Sequence, residues 1–320
     1  MATLYAFGTP NDPHISAVLG YVRELGVEAV SVASWSDDPG RFQQLSWRSD
    51  KSWSLERKRA FWLRDKHQVG GITTPDKQLE WWSHSNTSAM IRAAAALSPL
   101  QFNRTQTAAG TNAKIPQLTI AAEAGFMVPD TIVSNRKSDI LEFVEEYGSC
   151  IVKPLAGANA PPFGSNIGTG RYLPTVNVSA ADVMTSDEAS FLVAPSIFQR
   201  KIKKEYELRT VVFRDEIVSF KIDSQNHPYT ELDWRAGELL LDCDVVGTPE
   251  ELLGPIAKFL ELSGLDTTVF DFAVRPDGSA VFFESNPEGQ WRRMDLLNDD
   301  IVSRMFARQM VKAIHAVFPM

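Results

Sequence analysis

Two apolar strands joined by a tight turn, at residues 270–287, constrain this chain more than any other segment. The segment reads FDFAVRPDGSAVFFESNP, with runs rich in Val and Phe on both sides of Pro276, Asp277 and Gly278. Proline presets φ, aspartate can cap its own backbone and glycine accepts a positive φ. The pattern therefore predicts an antiparallel hairpin whose strands are apolar enough to lie in a core.

Three side chains with oxygen ligands interrupt this apolar hairpin, namely Asp271, Glu284 and Asn286. A buried carboxylate is costly unless a cation neutralises it, and Mg²⁺ takes one or two carboxylates together with substrate phosphates. Glu284 and Asn286 are two positions apart, so a strand points both to one face. Asp271 joins them only if odd positions of the first strand oppose even positions of the second. The sequence thus predicts a magnesium site, and the alternative is a plain hairpin with acids facing solvent.

Composition excludes several other classes of function. The chain has 320 residues, of which 44% are hydrophobic and 22% charged, and this fits two or three folded domains. Its net charge of −8 argues against sequence-independent binding of nucleic acid, and no apolar run is long enough to span a bilayer. The first residues lack a signal-peptide pattern, and Cys150 and Cys243 have no metal-ligand spacing. We therefore expect a cytoplasmic protein with no nucleic-acid partner, no membrane partner and no zinc site.

The periodicity of apolar residues predicts a mixed α/β chain that opens with a β-α-β unit, which is the unit that builds a parallel sheet. Ser138 is predicted to cap a helix, and residues 98–110 are interpreted as a connection. The predicted strands are 3–7, 28–33, 59–63, 130–134, 149–154, 191–198, 207–213 and 216–222, followed by the hairpin. The predicted helices are 13–25, 76–97, 114–124, 138–147, 250–263 and 301–317.

Two lysines are candidates for phosphate contacts. Lys153 ends a predicted strand directly before LAGANAPPFGSNIGTG at residues 155–170, and loop amides with an ammonium group suit phosphate oxygens. No GK[ST] follows, so the loop is not a Walker A sequence, and a mobile surface loop is an equally good interpretation. Lys114 begins a predicted helix, where a lysine is usually solvated.

Basic residues also mark the start of the last third of the chain. Arg209 lies in the apolar strand YELRTVVF, where a guanidinium group needs an anionic partner. That partner is either a structural carboxylate or a phosphate, and the sequence leaves both open. The cluster QRKIKK at residues 199–204 is either a solvated face or the lining of a site for a nucleotide or an acidic peptide.

The order of these pieces resembles the ATP-grasp superfamily. More narrowly, four stretches look like the ligases that mature graspetides, the microviridin-type ribosomal peptides. These stretches are AKIPQLTIAAEAGFMVPDT, FQRKIKKEYELRTVVF, the SQ…DWR segment at residues 224–235, and FESNPEGQW. The resemblance runs from about residue 102 to the end, and Ser285 stands where that superfamily usually has a branched aliphatic residue.

The resemblance implies an α/β (α+β) ATP-grasp fold with three domains. These would be an N-terminal β-α-β domain at residues 1–110, a small central domain with the phosphate loop at 111–195, and a C-terminal antiparallel-sheet catalytic domain at 196–320. It also implies ATP and Mg²⁺ as cofactors. The implied ATP-binding residues are Lys114, Lys153, Gln199, Lys201, Ile202 and Glu205, the metal ligands Asp271, Glu284 and Asn286, and the catalytic residues Arg209 and Arg235.

The reaction implied by the resemblance is carboxylate activation as an acyl phosphate, followed by attack of an amine or a hydroxyl group. The implied partner is a ribosomal precursor peptide with a leader and a core, cyclised by a homodimeric enzyme. We expect the leader to dock at residues 175–194, where Asp182, Asp187 and Glu188 could pair with basic residues or simply form a solvated acidic loop. Two alternatives remain open: a ligase for a small molecule or a protein C-terminus, and a peptide-binding protein without catalysis.

Overall fold

The computed structural model describes residues 2–9, 11–32, 46–47, 53–54, 59–64, 74–155, 159–160, 171–172 and 175–319. Most of the predicted phosphate loop at 155–170 lies outside these residues. Three sheets of four, four and five strands organise the described chain, together with two ribbons of two short strands each.

The first sheet is parallel, as the β-α-β opening predicts, with the strand order β2-β1-β5-β6. Asp12 caps the first helix by accepting the backbone N–H groups of His14 and Ile15, and Pro13 occupies its first position. Asp76 caps the second helix in the same way. The elements are β1 (Thr3–Phe7), α1 (Pro13–Glu24), β2 (Glu28–Val32), β3 (Ser46–Trp47), β4 (Trp53–Ser54), β5 (Arg59–Leu63), α2 (Lys77–Leu97) and β6 (Leu100–Phe102).

The second sheet is antiparallel and has the order β11-β8-β12-β7. Its helices pack against the sheet through an apolar cluster that includes Ile140, Val144, Val183 and Phe198. The elements are α3 (Thr105–Thr111), α4 (Lys114–Ala124), β7 (Thr131–Ser134), α5 (Lys137–Tyr147), β8 (Cys150–Pro154), β9 (Asn159–Ala160), β10 (Arg171–Tyr172), β11 (Val176–Val178), α6 (Ala180–Thr185), α7 (Glu188–Leu192) and β12 (Ser196–Arg200).

The third sheet is antiparallel, in the order β15-β14-β13-β16-β17, and 3₁₀ segments lie at Ser224–Asn226 and Trp234–Leu240. One of its faces packs Leu208, Phe272 and Phe282 in a cluster with residues of α4 and α8. The other packs Val211 and Phe213 in a cluster with residues of α10 and of the first sheet. The elements are β13 (Tyr206–Phe213), β14 (Glu216–Ile222), β15 (Cys243–Val246), α8 (Glu250–Ser263), β16 (Thr267–Val274), β17 (Ala280–Asn286), α9 (Arg292–Leu297) and α10 (Ile301–Val317).

A β-bulge in the hairpin decides which residues share a face. Five residues, 275–279, separate the paired residues Val274 and Ala280, and this odd loop alone would place Asp271 and Glu284 on opposite faces. The register shifts after Asp271, so that Phe272 pairs with Phe282 while Asp271 pairs with Glu284, and Phe283 is the extra residue. The bulge therefore produces the odd-to-even pairing that the predicted metal site requires.

Three local predictions were wrong. Residues 191–198 do not form one strand, because α7 ends at Leu192 and β12 begins only at Ser196. The supposed connection at residues 98–110 contains β6 and most of α3. Ser138 lies inside the first turn of α5 and donates to Asp139, while Arg136 is the N-cap residue and makes no capping bond through its side chain.

The predicted domain boundaries stay a prediction, although the sheets bear on where they fall. β12 starts the predicted third domain but pairs with β8 and β7 of the second sheet. α4 lies near the start of the predicted second domain but packs against α8 beside the third sheet. Among the described residues, no helix combines the length and the apolar character that a membrane span needs.

Asn103 joins the first and third sheets, and its loss should destabilise the protein. Its φ is +51°, its Oδ1 accepts the N–H groups of Asp266 and Thr267, and its Nδ2 donates to the carbonyls of Thr267 and Pro287. Asn103→Ala leaves these buried groups without partners. Alanine also tolerates a positive φ less well than asparagine does. We therefore expect a loss of about 3 kcal/mol in unfolding free energy.

Urea denaturation followed by tryptophan fluorescence measures this loss. Asn86→Ala is the matched control, because the Asn86 side chain donates only to the exposed Trp82 carbonyl within α2. A midpoint for Asn103→Ala no lower than that of Asn86→Ala would contradict the structural role of Asn103.

Candidate active site

Charged side chains gather on one face of the third sheet, at the end away from α10. Asp271 on β16 pairs directly with Arg209 on β13 and with Glu284 on β17, so all three side chains share this face. Asn286 follows Glu284 by two positions on the same face and donates from Nδ2 to Glu284 Oε1 at 3.0 Å. The structure thus brings the three predicted metal ligands together.

Arg209 is held on both sides of its guanidinium group. Its Nη1 donates to both carboxylate oxygens of Asp271, at 2.6 and 2.8 Å, and its Nε and Nη2 donate to the carbonyl of Gln290, at 3.2 and 2.8 Å. The group also lies 5.3 Å from the centre of the Trp234 ring, within range of a cation–π contact. Of the two partners left open by the sequence, the structure shows a carboxylate.

Arg235 connects the second carboxylate to a residue that the sequence analysis missed. Its Nη1 donates to Glu284 Oε1 at 2.9 Å, and its Nε donates to Asp233 Oδ1 at 2.9 Å. Asp233 also accepts the Arg235 backbone N–H. Asp233 is the first residue of the DWR string, so this string contained the available signal. Arg235 remains 46% exposed, unlike Arg209, whose side chain is 6% exposed.

The two carboxylates experience different balances of charge. Burial would raise the pKa of Glu284, but Arg235, Lys153, the Asn286 amide and Arg209 outweigh it and lower that pKa to about 2. For Asp271, burial and the neighbouring Glu284 charge raise the pKa against the opposing effect of Arg209. Glu284 is therefore the firmly ionised member of the pair.

Lys114 and Lys153 lie near Glu284. Lys114 donates from Nζ to the Pro154 carbonyl at 3.0 Å, and burial lowers its pKa while Glu284 opposes that change. Burial also lowers the pKa of Lys153, to about 8, with Glu284 again raising it and Lys114 and Arg235 lowering it. Each lysine is thus close enough to Glu284 and Arg235 to interact electrostatically with both, and the contact of the two lysines with nucleotide phosphates stays a prediction.

A buried ion pair beside the site was not predicted. Lys204 Nζ donates to Glu207 Oε1 at 2.6 Å, and both side chains are almost fully buried. Burial raises the pKa of Glu207, and Lys204 opposes it. Lys204 belongs to the QRKIKK cluster, so this member is neither solvated nor open to a peptide. Glu207 precedes Arg209 by two positions on β13, so both side chains lie on the same face of the sheet. This spacing was the signal in the sequence that could have identified Glu207.

The predicted nucleotide-binding residues 199–205 cross from the second sheet to the third. Gln199 is buried in β12 and donates from Nε2 to Thr131 Oγ1 at 2.9 Å, so its side chain already has a partner. The Lys201 N–H donates to the Ser149 carbonyl and the Glu205 N–H to the Val274 carbonyl. Ile202 lies between them, half-buried. These bonds anchor the two ends of the crossing, and contacts to adenine stay a prediction.

The acidic residues predicted to meet a leader peptide lie apart from the charged face. Asp182 forms a capping box with Ser179 at the start of α6, and Asp187 caps α7 by accepting the Ala189 N–H. Glu188 lies in the first turn of α7 and is exposed. Helix capping accounts for Asp182 and Asp187 without a ligand, so their role in peptide binding stays a prediction.

An apolar cleft opens beside these acids, between the second sheet and its helices. Residues of β-strands and residues of α5, α6 and α7 line it. The lining residues are Ser134, Ile140, Val152, Val178, Asp182, Val183, Ser186, Ser190, Phe191, Ala194, Ser196 and Phe198. The cleft therefore combines an apolar surface with hydroxyl groups and one carboxylate.

No protein-family model matches the sequence, and no curated protein matches it. Solved structures do match. A RiPP-associated ATP-grasp ligase from Chryseobacterium gregarium, solved with ADP and with a leader and core peptide, has a TM-score of 0.81 at 21% identity, over 100% of this chain and 98% of that one. The fold is that of the ATP-grasp ligases.

Two further structures support this assignment of the fold. The macrocyclase MdnC from Microcystis aeruginosa, solved with the precursor peptide MdnA, has a TM-score of 0.76 at 20% identity, over 98% of this chain and 100% of that one. PsnB, solved with a phosphomimetic precursor variant, Mg and ADP, has a TM-score of 0.71 at 19% identity, over 98% and 99%. These matches confirm the predicted ATP-grasp fold.

The lowered pKa of Lys153 predicts a pH dependence of nucleotide binding. Phosphate oxygens favour the ammonium form, so the pKa rises when nucleotide binds. Affinity is then full below the free-protein pKa of about 8 and falls as the pH rises above it. We expect affinity for a non-hydrolysable ATP analogue to drop by up to about tenfold between pH 7 and pH 9.

Calorimetric titration across this range checks the prediction. Lys153→Arg keeps its charge at every pH and should flatten the profile, whereas Lys153→Met should bind weakly throughout. Lys258→Met is the control, because Lys258 pairs with Glu261 on the exposed face of α8. A wild-type profile that is flat from pH 7 to pH 9 would remove Lys153 from the phosphate site.

Proposed function

We propose that this protein is an ATP-dependent ligase that crosslinks a ribosomal precursor peptide. It activates Glu or Asp side chains of the peptide as acyl phosphates and joins them to Lys amines or Ser and Thr hydroxyls, giving macrolactams or macrolactones of the graspetide type. The observation that carries the proposal is the meeting of Lys114, Lys153 and Arg235 with the paired carboxylates Asp271 and Glu284 at one end of an ATP-grasp sheet.

The charges in the site suit a polyphosphate. Five cationic and four anionic side chains interact there, which leaves a net positive charge before any metal ion is counted. A nucleotide with its phosphates toward this face would therefore meet a positive potential. The cations are Lys114, Lys153, Lys204, Arg209 and Arg235, and the anions are Glu207, Asp233, Asp271 and Glu284.

The donor set fits Mg²⁺. Asp271 and Glu284 supply carboxylate oxygens from directly paired strand positions, and Asn286 supplies an amide from the same face. When bound, Mg²⁺ would supply positive charge that offsets the charge of the ATP phosphates. These three residues would hold the metal, while the neighbouring guanidinium groups limit the negative charge that the two carboxylates present to the phosphates.

The reaction balances without a protein nucleophile. An oxygen of the substrate carboxylate attacks the γ-phosphorus, the bond to the β-phosphate oxygen breaks, and ADP leaves. The peptide amine or hydroxyl then attacks the acyl carbon, phosphate leaves, and the attacking group loses its proton. Each crosslink thus removes the elements of one water from the peptide. Lys153 and Arg235 stabilise the transferred phosphoryl group, and the charges of Arg209 and Arg235 stabilise the oxyanion that follows.

The apolar cleft beside α7 supports a peptide rather than a free amino acid as the substrate. Strand and helix side chains such as Val152, Val183 and Phe191 could hold apolar residues of a leader. The exposed Glu188, in the first turn of α7, could pair with a basic residue of that leader. A separate docking surface would add binding energy remote from the reacting atoms, which a small substrate cannot use. The resemblance further suggests a homodimer in the cytoplasm, and light scattering tests the dimer.

Glu284→Gln tests the metal and nucleotide part of this proposal. Glutamine preserves the side-chain shape and can still accept the Arg235 and Asn286 hydrogen bonds, but it removes the charge that binds Mg²⁺. We expect peptide crosslinking to fall by at least about 100-fold in a variant that still folds. The measurement is mass spectrometry of a co-expressed precursor, which loses one water per crosslink.

The matched control for Glu284→Gln is Asp244→Asn, an exposed carboxylate on β15, at the opposite edge of the same sheet and outside the site. It should leave crosslinking unchanged. Full crosslinking by Glu284→Gln, or crosslinking in excess chelator, would rule out this metal site.

Arg209→Lys tests the second part of the site. Lysine keeps the positive charge but cannot reach both Asp271 and the Gln290 carbonyl as the guanidinium fork does. We expect crosslinking to fall by about 100-fold, with ATP affinity changed much less. Arg214→Lys is the control, because Arg214 pairs with Asp266 outside the charged face. Normal crosslinking by Arg209→Lys would leave Arg235 as the catalytic arginine.

Peptide recognition is tested by comparing substrates. The full precursor should be crosslinked with ATP turnover well above that seen with the core peptide alone. Glu188→Lys should weaken precursor binding, most strongly at low ionic strength, while leaving ATP affinity unchanged. Equal turnover with the core peptide, or a preference for free amino acids, would favour a small-substrate ligase instead.

A further inference from the structure

A short loop carries the carbonyl that orients Arg209. Residues 287–291, here called the anchoring loop, follow β17 directly and end where α9 begins. Its Gln290 carbonyl accepts both Nε and Nη2 of Arg209. The loop therefore orients Arg209 through the Gln290 carbonyl, and its first residue directly follows the proposed metal ligand Asn286.

Residues from the first 110 hold this loop at three points. The Asn103 amide donates to the Pro287 carbonyl at 3.2 Å, and Arg64 Nη2 lies 3.5 Å from the Gly289 carbonyl. His14 Nε2 accepts the backbone N–H groups of Trp291 and Arg292, each at 3.1 Å. Gly289 also lies so close to Val269 that an added Cβ would meet that side chain at 2.4 Å. The loop is thus held by hydrogen bonds to the first 110 residues and by close packing against Val269 of β16.

The two hydrogen bonds to His14 require a neutral ring. Because Nε2 accepts two N–H groups, the ring proton lies on Nδ1, which faces Asp12 Oδ1 at 3.1 Å. Asp12 is itself fixed as the N-cap of α1. The Trp291 ring packs edge-on against the imidazole with centroids 4.8 Å apart, and His14 is only 4% exposed. The tautomer and the orientation of the ring are therefore both specified by the chain.

A protonated His14 would present Nε2–H to two backbone N–H donors, and both hydrogen bonds would be lost. The charged groups around the ring act in opposite directions. Asp12 favours the imidazolium, whereas Arg64, which donates to the other Asp12 oxygen, disfavours it. Glu288 acts on Arg64 in turn, and the Arg292 side chain is engaged by Asp300. Protonation of the ring thus converts His14 Nε2 from a hydrogen-bond acceptor into a donor.

We propose that His14 is a positioning residue for Arg209, acting through the anchoring loop. The neutral imidazole holds the Trp291 and Arg292 amides, and this contact places the Gln290 carbonyl where it orients the guanidinium group. His14 touches no substrate, and its effect on turnover rests on the proposed ligase function. The imidazole on the first helix therefore links the first sheet to the active site, beside the contacts of Asn103 and Arg64 with the same loop.

Three variants separate positioning from general stability. In His14→Gln the amide oxygen can reach about the position of Nε2 and accept hydrogen bonds without ever ionising. In His14→Leu the side chain fills similar space but accepts nothing. His315→Leu is the control, because His315 is exposed near the end of α10. Melting temperatures establish that each variant is folded, and the glutamine variant remains informative if the leucine variant is not.

Two measurements follow these variants across pH 5.5 to 8. Amide hydrogen exchange, corrected for the intrinsic rate at each pH, reports on the anchoring loop whether or not the protein is a ligase. The rate of precursor crosslinking at saturating ATP and peptide reports on Arg209.

In the wild type we expect slow loop exchange at pH 8 that becomes faster on acidification, with a parallel fall in kcat. His14→Gln should keep slow exchange and lose most of the acid-side fall in kcat. His14→Leu should exchange quickly at every pH and lose about tenfold or more in kcat, with the KM for ATP changed less than about threefold.

Slow loop exchange in His14→Leu, or a glutamine variant indistinguishable from the leucine variant, would overturn the proposal. Altered exchange in His14→Leu with a normal kcat would also overturn it, because the loop would then not govern Arg209. If the wild-type protein crosslinks no peptide, the ligase proposal fails. The exchange pattern and the ¹⁵N resonance of Arg209 Nε then decide whether His14 positions Arg209.

Discussion

The buried ion pair between Arg209 and Asp271 is the interaction on which the rest of the site depends. The two residues oppose each other on β13 and β16, in the interior of a five-stranded sheet. Removing one partner of such a pair typically costs about 3–5 kcal/mol, whereas a well-packed apolar pair would be about equally stable. The pair therefore adds little to stability beyond what an apolar core offers. Its consequence is the fixed placement of charge beside Glu284.

The face that carries this pair changes character along a single strand. On β13, Glu207 and Arg209 belong to the charged end, while Val211 and Phe213, on the same face, pack in the core with α10. The site therefore lies at the edge of a close-packed apolar core and not on an open surface. Charges at such an edge interact in a lower dielectric than water, which strengthens every contact among them. The apolar residues of the strand thus strengthen the electrostatic interactions among the charged residues at its other end.

Much of this arrangement could be predicted from local patterns, and what could not be predicted depended on distant contacts. Alternation and turn chemistry located the acidic hairpin, and helical periodicity gave α4, α8 and α10 with their observed bounds. The parity of the hairpin could not be predicted, because the bulge at Phe283 is a property of strand pairing. The Gln290 carbonyl and the His14 ring could not be predicted either, since backbone acceptors and contacts between distant parts of the chain leave no pattern in the sequence.

The two carboxylates are neutralised by arginines of the same chain, so the folded site does not depend on a metal ion to offset buried charge. Arg209 takes this role for Asp271 and Arg235 for Glu284, but the two arginines differ in restraint. The anchoring loop holds Arg209 from behind, whereas Arg235, besides its bond to Glu284, donates to Asp233 two positions away and is half exposed. One guanidinium group is therefore fixed by the first and third sheets together, and the other is exposed enough to meet an incoming anion. This asymmetry separates a rigidly held charge from a more exposed one within a single site.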